Sequence, residues 1–154
     1  MTNTTIIDSP IGPLTLTERD GALARLSFGA HGPCDPPTPL LTRAIEQLNE
    51  YFAGERRAFD LPLAPSGTEF QLTCWGALAE IPYGETRSYG QQADRIGRPD
   101  RARAVGAANG ANPIAIILPC HRVIGADGSL VGVGGGLETK RRLLDLEAGI
   151  LTLV

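Results

Sequence analysis

Two prolines constrain this chain more than any other feature. Pro113 and Pro119 bracket the apolar run Ile114-Ala115-Ile116-Ile117-Leu118. Proline fixes φ, donates no backbone N–H and pushes the residue before it out of the helical region. Asn112-Pro113 therefore starts a new segment, and Pro119 stops it within a handful of residues. A short β-branched-rich run of this length predicts a buried strand rather than a helix. It delivers the next residues, Cys120-His121-Arg122, to a turn. A thiol beside an imidazole at the end of a rigid apolar element is well placed to act as a reactive group.

The rest of the composition bounds the answer. The chain has 154 residues, 42% hydrophobic and 20% charged, enough for a real core in one or two small domains. No apolar run approaches the roughly 18 residues of a membrane span. Met1-Thr2-Asn3-Thr4-Thr5 has neither a basic segment nor a signal-peptide core, so a cytoplasmic protein without membrane association is expected. Cys34, Cys74 and Cys120 are the three cysteines. An odd, sparse set is no disulfide framework and fits a reducing compartment.

The net charge of −3 argues mildly against a nucleic-acid partner, but its distribution argues for one. Residues 1–80 carry five arginines against ten acids, and residues 81–154 carry nine basic residues against seven acids. Within 87–122, six arginines face two aspartates. The basic charge thus surrounds Cys120. It reads equally as a solvated face and as a binding surface.

The first part of the chain reads as a sheet with one helix. Thr4 to Ile7, Leu14 to Thr17 and Ala22 to Phe28 are strand-like, with Asp20-Gly21 as a hairpin turn. Leu40, Leu41, Ala44, Ile45, Leu48, Tyr51 and Phe52 recur at helical spacing, and Gly54 closes that helix. Phe59 to Leu63 resembles an edge strand. Nothing here carries an obvious chemical group.

Ala64 to Gly67 is the candidate boundary, giving domains 1–65 and 66–154. Thr68 can cap a helix containing Phe70, Cys74, Trp75 and Leu78. Ser88 to Ile96 reads as a short helix stopped by Gly97. Asp100 is a candidate cap for a helix over 101–109. Two short helices joined by a tight turn suggest a helix-turn-helix. The small side chains of the second permit close approach to another helix or to a nucleic-acid groove. Gly125 to Ser129 predicts a hairpin turn. Gly132 and Gly134-Gly135-Gly136 lack the lysine and spacing of a P-loop and fit better as a loop closing on a ligand. Glu138 to Ala148 is a final helix ended by Gly149.

A thiol is a strong nucleophile only as thiolate, and a neighbouring histidine or cation favours that form. Cys120-His121-Arg122 supplies both in sequence. The alternative for any lone cysteine is a small buried hydrophobe, which fits Cys74 and Cys34. His31 and Cys34 have ligand-like spacing, but no compact set of four Cys and His ligands appears, so no metal is expected. Taken singly, Glu147 would be a solvated charge and Tyr89 a packing residue.

Pro119-Cys120-His121-Arg122-Val123 resembles the active-site motif of the 6-O-alkylguanine-DNA alkyltransferases, the methylated-DNA–protein-cysteine methyltransferases. The resemblance extends in order through Phe70-Gln71, Trp75, Ile81-Pro82-Tyr83-Gly84-Glu85-Thr86, Ser88-Tyr89, Arg103-Ala104-Val105-Gly106, Asn109, Asn112-Pro113, Gly135-Gly136-Leu137 and Leu146-Glu147. It is dense over 66–149. Over 4–63 it is looser, through Ser9-Pro10-Ile11-Gly12 and Tyr51-Phe52-Ala53-Gly54.

The resemblance implies an α/β (α+β) fold. A small ribonuclease-H-like sheet and helix would precede a mostly helical, winged helix-turn-helix-like domain. It implies a repair protein that flips 6-O-alkylguanine, and 4-O-alkylthymine, out of duplex DNA and moves the alkyl group to Cys120, once per molecule. His121 would act as base through a water, Glu147 would orient it, and Asn112 would fix the turn. Arg103 would fill the space left by the base. Ala104 and Gly106 would allow close approach in the minor groove, and Tyr89 would displace a phosphate and donate to the base. Main-chain groups of Cys120, Val123 and Gly134 would read the guanine edge. No cofactor is implied, and the protein should be a monomer that can assemble cooperatively on DNA. The family commonly has tyrosine at the position of Val133, so weaker base stacking and a roomier pocket are expected here. The rival readings are a Cys-His hydrolase, a non-reactive lesion-binding module and a transcriptional regulator.

Overall fold

In the computed structural model, which describes residues 1–130 and 136–150, the chain starts as an antiparallel sheet. Its strands β1 (Thr2–Ile7), β2 (Leu14–Arg19) and β3 (Ala22–Phe28) lie side by side in chain order. Asp20 and Gly21 both take positive φ, +52° and +85°, as a two-residue hairpin turn of the I′ type requires. Leu14, Leu16, Leu23 and Leu26 are buried under helix α1 (Pro39–Phe52), which contributes Leu41, Ala44, Leu48, Tyr51 and Phe52. Thr38 caps α1 by accepting from the Leu41 N–H, with Pro39 in the first turn.

The outer edge of β3 is covered by two single-residue parallel bridges, Leu23 with Leu63 and Leu26 with Ile114. This corrects two expectations. Phe59 to Leu63 is not a strand: Pro62 has no N–H, and the contact reduces to Leu23 N on Pro62 O (2.8 Å) and Ala64 N on Leu23 O (2.9 Å). Nor is Ile114 to Leu118 a strand. Leu26 N meets Pro113 O and Ala115 N meets Leu26 O, both at 2.9 Å, and the chain then turns back, Leu118 N on Ile114 O at 3.0 Å. Its apolar residues reach the core from a turn, and that burial is what mimics a strand in the sequence.

The second part is mostly helical, with α2 (Glu69–Ala79), β4 (Arg87–Ser88), α3 (Tyr89–Arg95) and α4 (Ala102–Gly110). A 3₁₀ turn (Cys120–Arg122), β5 (Val123–Ile124) and α5 (Gly136–Glu147) complete it. Thr68 with Gln71, and Ser88 with Gln91, form capping boxes at the starts of α2 and α3. β4 and β5 pair in parallel. The expected turn after β5 closes through Gly125 N on Ser129 O at 2.8 Å. Asp100 does not cap α4. The helix starts after Arg101, without a side-chain cap. The preceding turn closes through Arg101 N on Arg98 O and leaves Asp100 exposed.

One core runs through the described parts of the molecule. The leucines of the sheet and α1 continue into Trp75, Leu78, Ile114, Ile116, Leu118, Val123, Leu143 and Leu146. A smaller cluster of Cys74, Ala93, Val105 and Ala108 joins α2, α3 and α4. Trp75 Nε1 donates to Ala108 O at 2.8 Å and ties that cluster to the main core. Cys74 is buried as expected, whereas Cys34 is exposed. It sits in the proline- and glycine-rich loop before α1, with its sulfur accepting from Ile6 N at 3.4 Å. No described helix is long and apolar enough to cross a membrane.

Candidate active site

Cys120 opens the 3₁₀ turn, and the segment before it is held by one side chain. Asn112 Nδ2 donates to Leu118 O at 2.7 Å, and its Oδ1 accepts from Ile114 N at 2.9 Å. Between these points Ile116 takes φ +71°, a left-handed conformation that costs a β-branched residue roughly 1–3 kcal/mol. The Asn112 clamp and the burial of Ile116 together hold the chain in that conformation. Burial pushes the Cys120 thiol above its ordinary value, while a hydrogen bond with Asn112 and the charge of Lys140 partly oppose this. Lys140 reaches in from α5, fully buried, and donates to Val123 O at 2.5 Å. Burial lowers its pKa, and Cys120 pulls it back up.

The other centre is Glu147, the last residue of α5. The helix ends in a Schellman motif: Ile150 N bonds Asp145 O, Gly149 N bonds Leu146 O, and Gly149 takes φ +75°. A carboxylate at a helix C-terminus opposes the helix dipole, so it needs strong partners. Arg122 Nε donates to Oε1 at 2.7 Å and Arg122 Nη2 to Oε2 at 3.0 Å. His121 Nε2 lies 2.7 Å from Oε2, and Tyr51 OH donates to the same oxygen at 2.5 Å. Burial alone would raise the Glu147 carboxyl. The hydrogen bonds and charges of His121 and Arg122 outweigh it and hold the group at about 2. Arg122 itself is fixed by Nη1 donating to Ile81 O at 2.6 Å.

His121 is 2% exposed. Burial lowers its pKa against the pull of Glu147, so the ring is neutral at neutral pH. A neutral imidazole facing a carboxylate keeps its proton on that side. Nε2–H therefore donates to Glu147, and Nδ1 keeps a lone pair. Nδ1 is buried with no hydrogen-bond partner among the described residues. The arrangement offers a base one residue along the chain from a thiol.

Tyr89, the first residue of α3, is half-buried, with ring carbons 3.6 Å from where a Cβ on Gly106 would stand. Its phenol is raised by burial and then by the negative charge available at Cys120. Lys140 Nζ lies 6.0 Å from its ring centroid. On α4, Val105, Ala108 and Asn109 face the protein, Ala104 and Gly106 are half-exposed, and Arg103 is exposed. The helix-packing reading of the small residues thus applies to Val105 and Ala108, which pack with Cys74 and Ala93. Asn109 and Gln92 exchange amide hydrogen bonds at 2.8 and 3.1 Å, which locks α3 against α4.

Val123 is fully buried. Its N–H is taken by Cys120 O and its carbonyl by Lys140. Val133 and Gly134 lie outside the described residues. A cavity of about 220 Å³ adjoins Cys120, lined by Arg25, Ser27, Asn109, Gly110 and Asn112 among others. Among the described residues no group of three or more metal-ligating side chains converges.

The sequence alone did not single out Arg122 as a partner of Glu147, Lys140 as a buried cation, or Tyr51 as anything but a helix core residue. Two of these carry a faint signal. Tyr51 is the one hydroxylated position on an otherwise aliphatic and phenylalanine face, and Lys140 falls on the apolar side of α5.

The comparisons with known proteins cover both parts of the chain. The family described as "6-O-methylguanine DNA methyltransferase, ribonuclease-like domain" matches residues 3–65, and "6-O-methylguanine DNA methyltransferase, DNA binding domain" matches residues 69–149. The chain is 56% identical over 149 residues to the methylated-DNA–protein-cysteine methyltransferase of Mycobacterium tuberculosis H37Rv, covering 92% of this chain and 89% of that one. With the Methanosarcina acetivorans protein of the same name it shares 51% over 150 residues, covering 92% and 96%. The crystal structure of M. tuberculosis OGT in complex with DNA superposes with a TM-score of 0.90 at 53% identity, covering 98% of each chain. With both regions matched and over half of the aligned residues identical to a curated relative, the chain belongs to the methylated-DNA–protein-cysteine methyltransferase family.

Proposed function

We propose that this chain repairs duplex DNA by transferring the alkyl group of 6-O-alkylguanine, and of 4-O-alkylthymine, to the sulfur of Cys120. The observation that carries the reading is the neutral, buried His121, next to Cys120 in the chain, with Nε2 on Glu147 and Nδ1 without a partner among the described residues and able to take a proton. The Cys120 thiol, raised by burial, is protonated at rest, so a base is needed at the moment of reaction. His121 Nδ1 takes the proton through a water. The thiolate attacks the alkyl carbon, the S–C bond forms, and the C–O bond breaks with its electron pair passing into the guanine ring. The Tyr89 hydroxyl, kept protonated by its raised pKa, hydrogen-bonds the base as that charge develops. The product is a thioether, which thiol reductants do not cleave, so each molecule acts once. No cofactor enters the step.

The base must leave the stack to reach a thiol this deep, which costs a few kcal/mol. Arg95, Arg98, Arg101 and Arg103, exposed within the basic stretch 87–122, offset this by contacts to the backbone. Arg103, exposed on α4, fills the space left by the base, and Ala104 and Gly106 let the helix approach the minor groove. That a relative of 53% identity was solved in complex with DNA supports DNA as the partner. Guanine readout falls to carbonyls. Cys120 O and Val123 O each accept one bond already, but a carbonyl has a second lone pair, whereas the Val123 N–H has nothing left to give. Gly134 supplies a further main-chain contact. Val133, where the family commonly has tyrosine, leaves room for larger alkyl groups. The protein acts as a monomer that can bind DNA cooperatively, and three free thiols fit a reducing cytoplasm.

Titrating the protein against excess alkylated duplex tests this. Repaired guanine should level off at one per protein. Release far beyond one equivalent would mark a Cys-His hydrolase, and tight binding without repair a lesion-binding module.

A further inference from the structure

Glu147 is the most heavily bonded group in the described site, and one of its donors comes from the other end of the chain. Tyr51, on α1, lies 96 residues away and donates to Oε2 at 2.5 Å. That oxygen is the one His121 uses. Tyr51 is fully buried. Its ring is fixed by neighbours, Phe52 and Phe59 at 5.5 Å and Tyr83 at 6.2 Å between centroids. No rotamer change is available without disturbing those rings, so the hydroxyl is presented to Glu147 in one geometry.

We infer that Tyr51 is a positioning residue for alkyl transfer: its hydroxyl orients Glu147 and draws charge from the oxygen that faces His121. The inference rests on the proposed role of His121 as base. A carboxylate with a single partner would pull on the imidazole and favour imidazolium, which cannot accept a proton. Here the phenolic proton points at the shared oxygen, so an imidazolium at His121 would face a positive dipole. The other groups facing His121 act in known directions. Arg122 disfavours imidazolium from the same turn, Lys140 does so from α5, and Glu147 alone favours it. Tyr83, on the loop after α2, is kept neutral by burial. His121 and Arg122 keep Glu147 anionic, and the Tyr51 hydroxyl adds a donor on Oε2, so the carboxylate orients the ring without drawing a second proton onto it. Through this bond, the sheet-and-helix part of the chain takes part in the chemistry.

Tyr51→Phe keeps the ring and removes only the hydroxyl. Single-turnover transfer rates would be measured across pH on duplex DNA carrying 6-O-methylguanine, for wild type, Tyr51→Phe and the packing control Leu16→Ala, a buried β2 residue. The acid limb of the Tyr51→Phe profile should move up by roughly one pH unit, with a lower plateau. Leu16→Ala should lose thermal stability with its limb unmoved. An unshifted Tyr51→Phe limb overturns the inference while leaving the functional reading intact. Absence of any transfer by wild type overturns both. Should Tyr51→Phe not fold, the wild-type protein still decides the point by proton NMR. The Tyr51 hydroxyl proton should be downfield and slow to exchange, and exchange as fast as an exposed phenol's overturns the role.

Discussion

Arg122 holds both oxygens of Glu147, Nε on Oε1 at 2.7 Å and Nη2 on Oε2 at 3.0 Å, in a site where both side chains are buried. The two residues stand on different elements, so the pair ties the end of α5 to the turn that carries Cys120. Breaking such a pair from one side leaves an uncompensated buried charge. Arg122→Met should therefore destabilise the fold by about 3 kcal/mol, read by chemical denaturation. Arg122→Lys keeps the charge but not the fork, and should fall between. A loss within a few tenths of a kcal/mol would show that the pair is not holding the two elements together.

The same cluster sets the response to acid. His121 is lowered from an ordinary 6.5 by burial, and Glu147 from 4.5 to about 2. In both cases the unfolded chain binds protons that the folded one resists, so stability falls as pH falls. The His121 contribution is present above 6.5 and erodes below it. The Glu147 contribution is present above 4.5 and erodes towards 2. Denaturation midpoints at pH 7.5, 5.5 and 4 should decline in that order. A flat or rising stability between pH 7.5 and 5.5 would contradict a neutral buried His121.

Asn112 satisfies two backbone groups in a turn that also contains the left-handed Ile116. Asn112→Ala leaves Leu118 O and Ile114 N without that partner. It should cost about 1–3 kcal/mol and slow transfer by more than the stability loss explains, because the thiol is no longer held in one place. Asn112→Asp keeps the acceptor for Ile114 N but loses the donor to Leu118 O, and should be intermediate. Equal transfer rates in all three proteins would remove Asn112 from the site.

Substituting Arg103 tests the proposed DNA handling apart from the chemistry. It is exposed on α4, so Arg103→Ala should leave the melting temperature within about a degree or two, as surface substitutions usually do. Transfer from duplex DNA should drop by at least tenfold, while transfer from free 6-O-benzylguanine, which needs no flipping, should be unchanged. Equal losses on both substrates would place Arg103 in the chemistry instead.

What the sequence made legible was local. Thr68 with Gln71 and Ser88 with Gln91 are capping pairs readable within four residues, and Asp20-Gly21 names its own turn. What it hid was set by contacts between distant segments. Ile114 to Leu118 has the composition of a strand because it is buried, but its neighbours along β3 leave room for one bridge only. Asp100 has the right chemistry for a cap, and the Arg98–Arg101 turn places it elsewhere. The bond from Tyr51 to Glu147 spans 96 residues and leaves no periodic trace. Cys120 and His121 were legible as a pair. The nitrogen that faces Glu147 was not.

The central claim is that Cys120 becomes the permanent carrier of the alkyl group. Intact mass of the protein after incubation with excess duplex containing one 6-O-methylguanine tests it most directly. The mass should rise by a single methyl group, mapped to the peptide containing Cys120 and absent in Cys120→Ser. An unchanged mass with the DNA still bound, or repaired DNA with an unmodified Cys120, would contradict it.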